Sequence, residues 1–192
     1  SMKQFQDRIR AEGRVLPGNI IKVDGFLNHR VDMALMREIA KEFRSRFDLS
    51  GLTAVLTVEA SGIALAAICA DEFGVPMIFA KKAKSDNIEG GLYKSDIYSY
   101  TYKKHVTLIV SSQWLGPDDK VIIIDDFLAN GEALRGLVEI VQEAGAELRG
   151  IGVAIEKGFQ PGGKKLRDAG VNLVSLAIIE KADENGIIFR EE

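Results

Sequence analysis

From Leu52 onward the chain alternates short, nearly unbroken apolar runs with segments of helical periodicity, and few architectures accept that pattern. The runs are Ala54 to Val58, Pro76 to Ala80, Val106 to Val110, Val121 to Ile124, Gly150 to Ile155 and Leu173 to Ile179. They lack the apolar–polar alternation of a half-solvated strand, so they read as strands covered on both faces. Between them Gly62 to Phe73, Gly131 to Ala144 and a segment through Lys164 to Asp168 read as helices. Strands of this kind alternating with helices predict an α/β fold built on a mostly parallel sheet flanked by helices. In such a sheet ligands sit outside the carboxyl ends of the strands, so the loops that follow strands are where chemistry is to be sought.

Ahead of this region lie an opening helical segment, short extended pieces within Val15 to Phe26 broken by Pro17, Gly18 and Gly25, and a helical repeat of Met33, Met36, Ile39, Ala40 and Phe43 between Asp32 and Phe47. A chain of 192 residues, 46% of them hydrophobic, suffices for one core, and a single domain over 1–192 is expected. The apolar run from Gly62 to Ala70 falls far short of the roughly 20 residues that cross a bilayer, so no membrane span is expected. Ser1 to Gly13 is charged throughout, unlike a secretory signal. A net charge of −3 gives no global pull toward nucleic acid, which makes any anion site a local one. The single cysteine, Cys69, makes no internal disulfide, as suits a reducing cytoplasm, and it lies in an apolar helical run where packing is its expected role.

Lys81 to Tyr102 breaks the pattern. Lys81, Lys82, Lys84, Ser85, Asp86 and Asn87 precede Gly90, Gly91 and a Tyr-rich stretch, too polar for a core and long for a connection. A mobile arm or flap is expected here, with an ordinary solvated hairpin as the alternative.

The chemistry concentrates in Val121 to Ala133, where a buried strand is followed by Asp125, Asp126, a small-residue turn and a helix. Backbone N–H groups from about Ala129 to Ala133, with the helix dipole behind them, suit a phosphate without any lysine. The two carboxylates would repel that phosphate and suit hydroxyl groups or a divalent cation instead. A phosphate at one end and vicinal hydroxyls a few ångströms away describe a ribose 5-phosphate, although acidic pairs also hold metals in hydrolases or simply end a strand.

This stretch resembles the diphosphoribose-binding motif of type I phosphoribosyltransferases, which commonly carry Thr or Ser where this chain has Ala129 and Asn130. The resemblance implies that Asp125 and Asp126 hold the ribose hydroxyls, directly or through Mg²⁺, and that Ala129, Asn130, Gly131, Glu132 and Ala133 wrap the 5-phosphate. It further implies pyrophosphate contacts from Glu59, Ala60 and Ser61, in a loop between strand and helix, and from Lys81, Lys82 and Lys84 on a flexible loop. Ser61 and Gly62 could instead merely cap the next helix.

Val23 to His29, Ile124 to Gly131 and Ile155 to Gly162 together resemble the bacterial xanthine phosphoribosyltransferases over nearly the full length. The likeness implies transfer of a ribose phosphate from 5-phosphoribosyl 1-diphosphate to xanthine, with a small hood of about residues 13–30 over the base and base contacts from Ile21, Asn28 and Lys157. A lysine and an amide that both donate favour an oxopurine over adenine, whose amino group would meet Lys157 donor to donor. Guanine and hypoxanthine remain open, as does a diphosphoribose-sensing regulator that binds nucleic acid. Phe127 and Phe159 are equally suited to stacking and to packing. His29 and His105 suit surface positions better than a general-base role, and Trp114 suits a loop or an interface. Relatives form homodimers, and Tyr93 to Tyr102 is the expected contact region.

Overall fold

The computed structural model describes residues 2–83 and 90–191. Helix α1 (Lys3–Glu12) leads into a hairpin of β1 (Arg14–Leu16) and β2 (Ile20–Lys22), then a wide helical turn at Asp24–Asn28 and helix α2 (Met33–Arg46). The hairpin closes through Gly18 and Asn19, both at positive φ, where glycine and asparagine are the favoured residues. Asp32 caps α2 by accepting from the Leu35 N–H at 3.2 Å, a contact worth about 1 kcal/mol in such positions. Leu35, Met36, Ile39, Ala40 and Phe43 form its buried face. Met33 was expected in that face and stands exposed, because it occupies the first turn on the solvent side.

Among the described residues the main sheet has eight strands, in the order β10, β9, β8, β7, β3, β4, β6, β5. Their ranges are β3 (Ala54–Val58), β4 (Met77–Ala83), β5 (Leu92–Ser99), β6 (Lys104–Ser111), β7 (Lys120–Leu128), β8 (Glu147–Lys157), β9 (Leu173–Asp183) and β10 (Gly186–Phe189). The strands β9, β8, β7, β3 and β4 run parallel, and β10, β6 and β5 add antiparallel edges. The pleat sends successive side chains to opposite faces. Ile122 and Ile124 thus enter a core with Val55, α2 and α3 (Ile63–Phe73), while Val121 and Ile123 enter a second core with Leu56 and α4 (Glu132–Ala144). Helix α5 (Gly162–Asp168) contributes Leu166 to the second core.

The connection β3–α3–β4 builds the sheet in one direction and β7–α4–β8–α5–β9 builds it in the other. The switch point between β7 and β3 is where a crevice opens in such sheets. Here β3 stops pairing at Leu56 with Ile123, whereas β8 continues along β7 as far as Leu128. The strand expected over Val121 to Ile124 therefore extends to Leu128, and Asp125 and Asp126 lie within it, beside the gap that β3 leaves.

Part of the arm expected over Lys81 to Tyr102 is sheet instead, with Lys81 to Ala83 in β4. Residues 92–99 are sheet, paired with β6 from Leu92 opposite Ser111 to Ser99 opposite Lys104. Ser95 and Ile97 turn inward onto α4, where Gly136 leaves them room; a Cβ there would stand 2.7 Å from the Ile97 side chain. Lys84, Ser85, Asp86 and Asn87 lie outside the described residues. Among the described residues no helix is long and apolar enough to cross a membrane. Cys69 is buried in α3, where burial pushes its thiol pKa far up and keeps it protonated.

Candidate active site

Asp126 is the point where three separate pieces of chain meet. One carboxylate oxygen accepts from Asn28 Nδ2 of the wide turn before α2 at 3.2 Å, and the other accepts from Ser61 Oγ of the loop after β3, also at 3.2 Å. Asp125 turns inward: its Oδ1 accepts from the Asp126 N–H at 2.9 Å and faces the Gly62 backbone. A Cβ on Gly62 would stand 2.6 Å from that oxygen and 2.6 Å from Thr57 Oγ1, so only glycine lets the loop close over the acid. Burial, then the neighbouring Asp126 charge, raises the Asp125 pKa well above the ordinary carboxylate range. Lys82 partly opposes that rise.

Beyond the acids the chain turns through Ala129, Asn130 and Gly131 into α4, with Gly131 at φ +84°. Asn130 Oδ1 accepts from the Glu132 N–H at 2.9 Å, and the Ala129 carbonyl accepts from the Gly162 N–H at 3.0 Å. The loop encloses a cavity of about 150 Å³ lined by Asp125 and residues 127–134. The helix dipole and the N–H groups of a first turn that lack an intrahelical partner make such a cavity attractive to an anion, although here the Glu132 N–H is already taken by Asn130. The Glu132 side chain is engaged by other partners. Its carboxylate accepts from the Tyr98 N–H at 3.0 Å and pairs with Arg135, which holds its pKa below the usual range.

Lys157 stands at the end of β8, half-buried, with Nζ 5.9 Å from the Phe127 ring centroid. Loss of hydration lowers its pKa below that of an ordinary lysine. Ile21 is 6% exposed and packs into the core that α2 and α3 share with the sheet, so its side chain offers little open surface. Phe159 is partly exposed, whereas Phe127 packs against the core with Lys157 over its ring.

The remaining residues divide. Ala60 and Ser61 are exposed on the loop before α3, and the Glu59–Ala60 peptide is cis. Glu59 Oε1 accepts from the Lys82 N–H at 3.0 Å, so its carboxylate ties this loop to β4. The Lys82 charge favours the ionised form of Asp125, while Lys81, one residue earlier and so on the other face, leans over the Phe79 ring. That division follows from strand parity and was readable from the period of two. Lys84 lies outside the described residues. His29 is exposed beside Asn28, and the exposed His105 ring stands edge-on to Tyr98 at 5.2 Å. Trp114 is exposed at the rim of an apolar groove of about 570 Å³ that includes neither aspartate.

The model of the phosphoribosyl transferase domain family matches residues 24–184. A xanthine phosphoribosyltransferase of Lachnoclostridium phytofermentans is 51% identical over 191 residues, covering 98% of each chain. Another from Streptococcus gordonii is 50% identical over 188 residues, covering 98% of this chain and 97% of its own. Among solved structures, APRTase from Giardia lamblia complexed with 9-deazaadenine matches with a TM-score of 0.77 at 26% identity, over 94% of this chain and 99% of that one. Adenine phosphoribosyltransferase from Rhodothermus marinus shares the fold, with a TM-score of 0.74 at 20% identity over 93% of this chain and all of the other.

Proposed function

The chain belongs to the phosphoribosyl transferase domain family, and we propose that it is a purine-salvage enzyme converting xanthine and 5-phosphoribosyl 1-diphosphate to xanthosine 5'-phosphate and pyrophosphate. The observation that carries the reading is Asp126, which joins the hood, the loop after β3 and the strand that ends at the anion cavity. A ribose lying on Asp125 and Asp126 would place its 5-phosphate in the cavity of residues 127–134, its diphosphate toward Ser61 and Lys82, and its anomeric carbon toward Asn28 and Lys157.

In the reaction a purine ring nitrogen forms a bond to the anomeric carbon as the carbon–oxygen bond to the diphosphate breaks, and the electron pair leaves on pyrophosphate. Positive charge develops on the sugar. Asp125 is poised for that charge: it is desolvated beside another carboxylate, so an arriving cationic centre draws it into its ionised form. Lys157 donates to an oxo group of xanthine, and Asn28, held by Asp126, donates beside it. Ala129, Asn130, Gly131 and the backbone of Glu132 and Ala133 hold the 5-phosphate.

Magnesium fits this site as a partner of the substrate. Among the described residues no three acidic, histidine or cysteine side chains form a metal cluster. One or two carboxylates completed by substrate phosphates is the usual way of holding this ion. Asp125 and Asp126, with diphosphate oxygens, would hold it, and when bound it supplies neutralisation of the leaving pyrophosphate.

The 51% and 50% identical xanthine enzymes support xanthine over guanine or hypoxanthine, and their full-length coverage speaks against a nucleic-acid-binding regulator. A cytoplasmic homodimer is part of the reading, with Tyr93 to Tyr102 as its contact region. The test is the double variant Asp125→Asn, Asp126→Asn: turnover is lost while the far-UV circular dichroism stays that of the wild type. Wild-type turnover would remove the assignment.

A further inference from the structure

Glu156 is an acid that the proposed reaction does not use, yet it is among the most buried charged groups in the molecule, at 2% exposure. Its two oxygens receive both arms of the Arg167 guanidinium, at 2.9 and 2.7 Å, and the Ser175 hydroxyl donates to Oε1 at 2.6 Å. Arg167 belongs to α5 and Ser175 to β9, so one carboxylate ties three elements together. Burial pushes the Glu156 pKa up, but the guanidinium and the hydroxyl outweigh burial and hold it below the usual range.

The first turn of α5 is clamped between this carboxylate and the anion loop. On one side a Cβ at Gly163 would collide with Glu156 Oε2. On the other, Gly162 lies against the loop backbone. A Cβ there would stand 2.5 Å from the Ala129 carbonyl oxygen and 2.8 Å from both the Asn130 carbonyl carbon and the Gly131 nitrogen. Gly162 N–H also donates to the Ala129 carbonyl at 3.0 Å. Two successive glycines thus bring α5 into van der Waals register with the loop behind and the acid beneath.

Shape alone would be met by an apolar pair in the same volume, which is often as stable as a buried ion pair. A forked, two-point contact fixes direction as well as distance. Building on the proposed function, we propose that Glu156 and Arg167 are positioning residues for the 5-phosphate. They seat the Gly162–Gly163 turn, and that turn backs the Ala129 to Gly131 loop at the height a phosphate requires.

The probe is ribose 5-phosphate, which engages the loop without a base or a diphosphate. Its dissociation constant is measured by calorimetry for the wild-type chain, Glu156→Gln and Arg167→Met, with steady-state constants for both substrates alongside. Either substitution weakens ribose 5-phosphate by about tenfold, the order of loss expected when a binding group is displaced by a fraction of an ångström. The double variant is no weaker than the worse single one, because both act through one contact. The KM for 5-phosphoribosyl 1-diphosphate rises in step while the KM for xanthine stays put; a variant that merely unfolds in part would lower kcat and leave both KM values alone.

If Glu156→Gln does not fold, Arg167→Lys answers the same question, since it keeps the charge and loses the fork. Wild-type affinity for ribose 5-phosphate in a folded variant overturns the positioning role and leaves the proposed function standing. A wild-type chain that does not bind ribose 5-phosphate overturns the proposed function, and this inference with it.

Discussion

The Asn28 side-chain amide donates to Asp126 at 3.2 Å across 98 positions of sequence, and this contact joins the turn before α2 to the acidic strand end. The carboxylate can only accept, so it fixes which end of the Asn28 amide points toward it and leaves the second N–H for a base. Asn28→Ala therefore lowers kcat/KM for xanthine by about 10- to 100-fold, the loss of a hydrogen bond in a charged environment being about 1.5–3 kcal/mol. Steady-state kinetics at saturating diphosphate checks this, and an unchanged value would show that the hood does not read the base through Asn28.

Lys157 is held uncharged more readily than a surface lysine, because it sits half-buried over Phe127. Its folded pKa is lowered, so the donating ammonium is lost as pH rises at a lower value than for an exposed lysine. The alkaline limb of kcat/KM for xanthine should fall there. Lys157→Arg moves that limb upward, since a guanidinium stays charged, and Lys157→Met lowers kcat/KM by about 10²-fold, as loss of a buried charged donor does. A pH profile identical in Lys157→Arg and wild type would mean that another group sets the limb.

Asp125 sets function against stability. Its folded pKa is raised by burial and by Asp126, so between the unfolded value and the folded one the native state holds more protons and stability falls as pH rises. Asp125→Asn removes that slope, raises the melting temperature at neutral pH and abolishes turnover. Thermal melts from pH 4 to 8 measure it; a variant less stable than wild type at neutral pH would show that the carboxylate is structurally required.

Gly62 closes over Asp125 and Thr57 with no room for a methyl group. Gly62→Ala displaces the loop that carries Ser61 and lowers turnover by about 10²-fold, as misplacement near 1 Å can do, with the fold retained by circular dichroism. Full activity would mean that this loop does not need its observed closeness to the acid.

The sequence made much of this legible because the signals were local. Buried strands, the helical repeat between Asp32 and Phe47 and the run from Val121 to Ala133 each show in a few neighbouring residues. Other features were set by tertiary partners. Strand β7 runs through Asp125 and Asp126 because β8 continues beside it. Leu92 to Ser99 looks too polar for a core, yet it pairs with β6 and rests on α4 at Gly136. Glu132 sits in the right place in sequence but turns its carboxylate to Tyr98 and Arg135. Glu156 looked like one more residue before Lys157, and its partner Arg167 is visible only once α5 is folded back on β8.

The central claim is tested most directly by pyrophosphate release from 5-phosphoribosyl 1-diphosphate with Mg²⁺, with xanthine, guanine, hypoxanthine and adenine offered separately at equal concentration. Xanthine is expected to react fastest and adenine slowest. Adenine as the preferred base, or release with none of the four, would contradict the account.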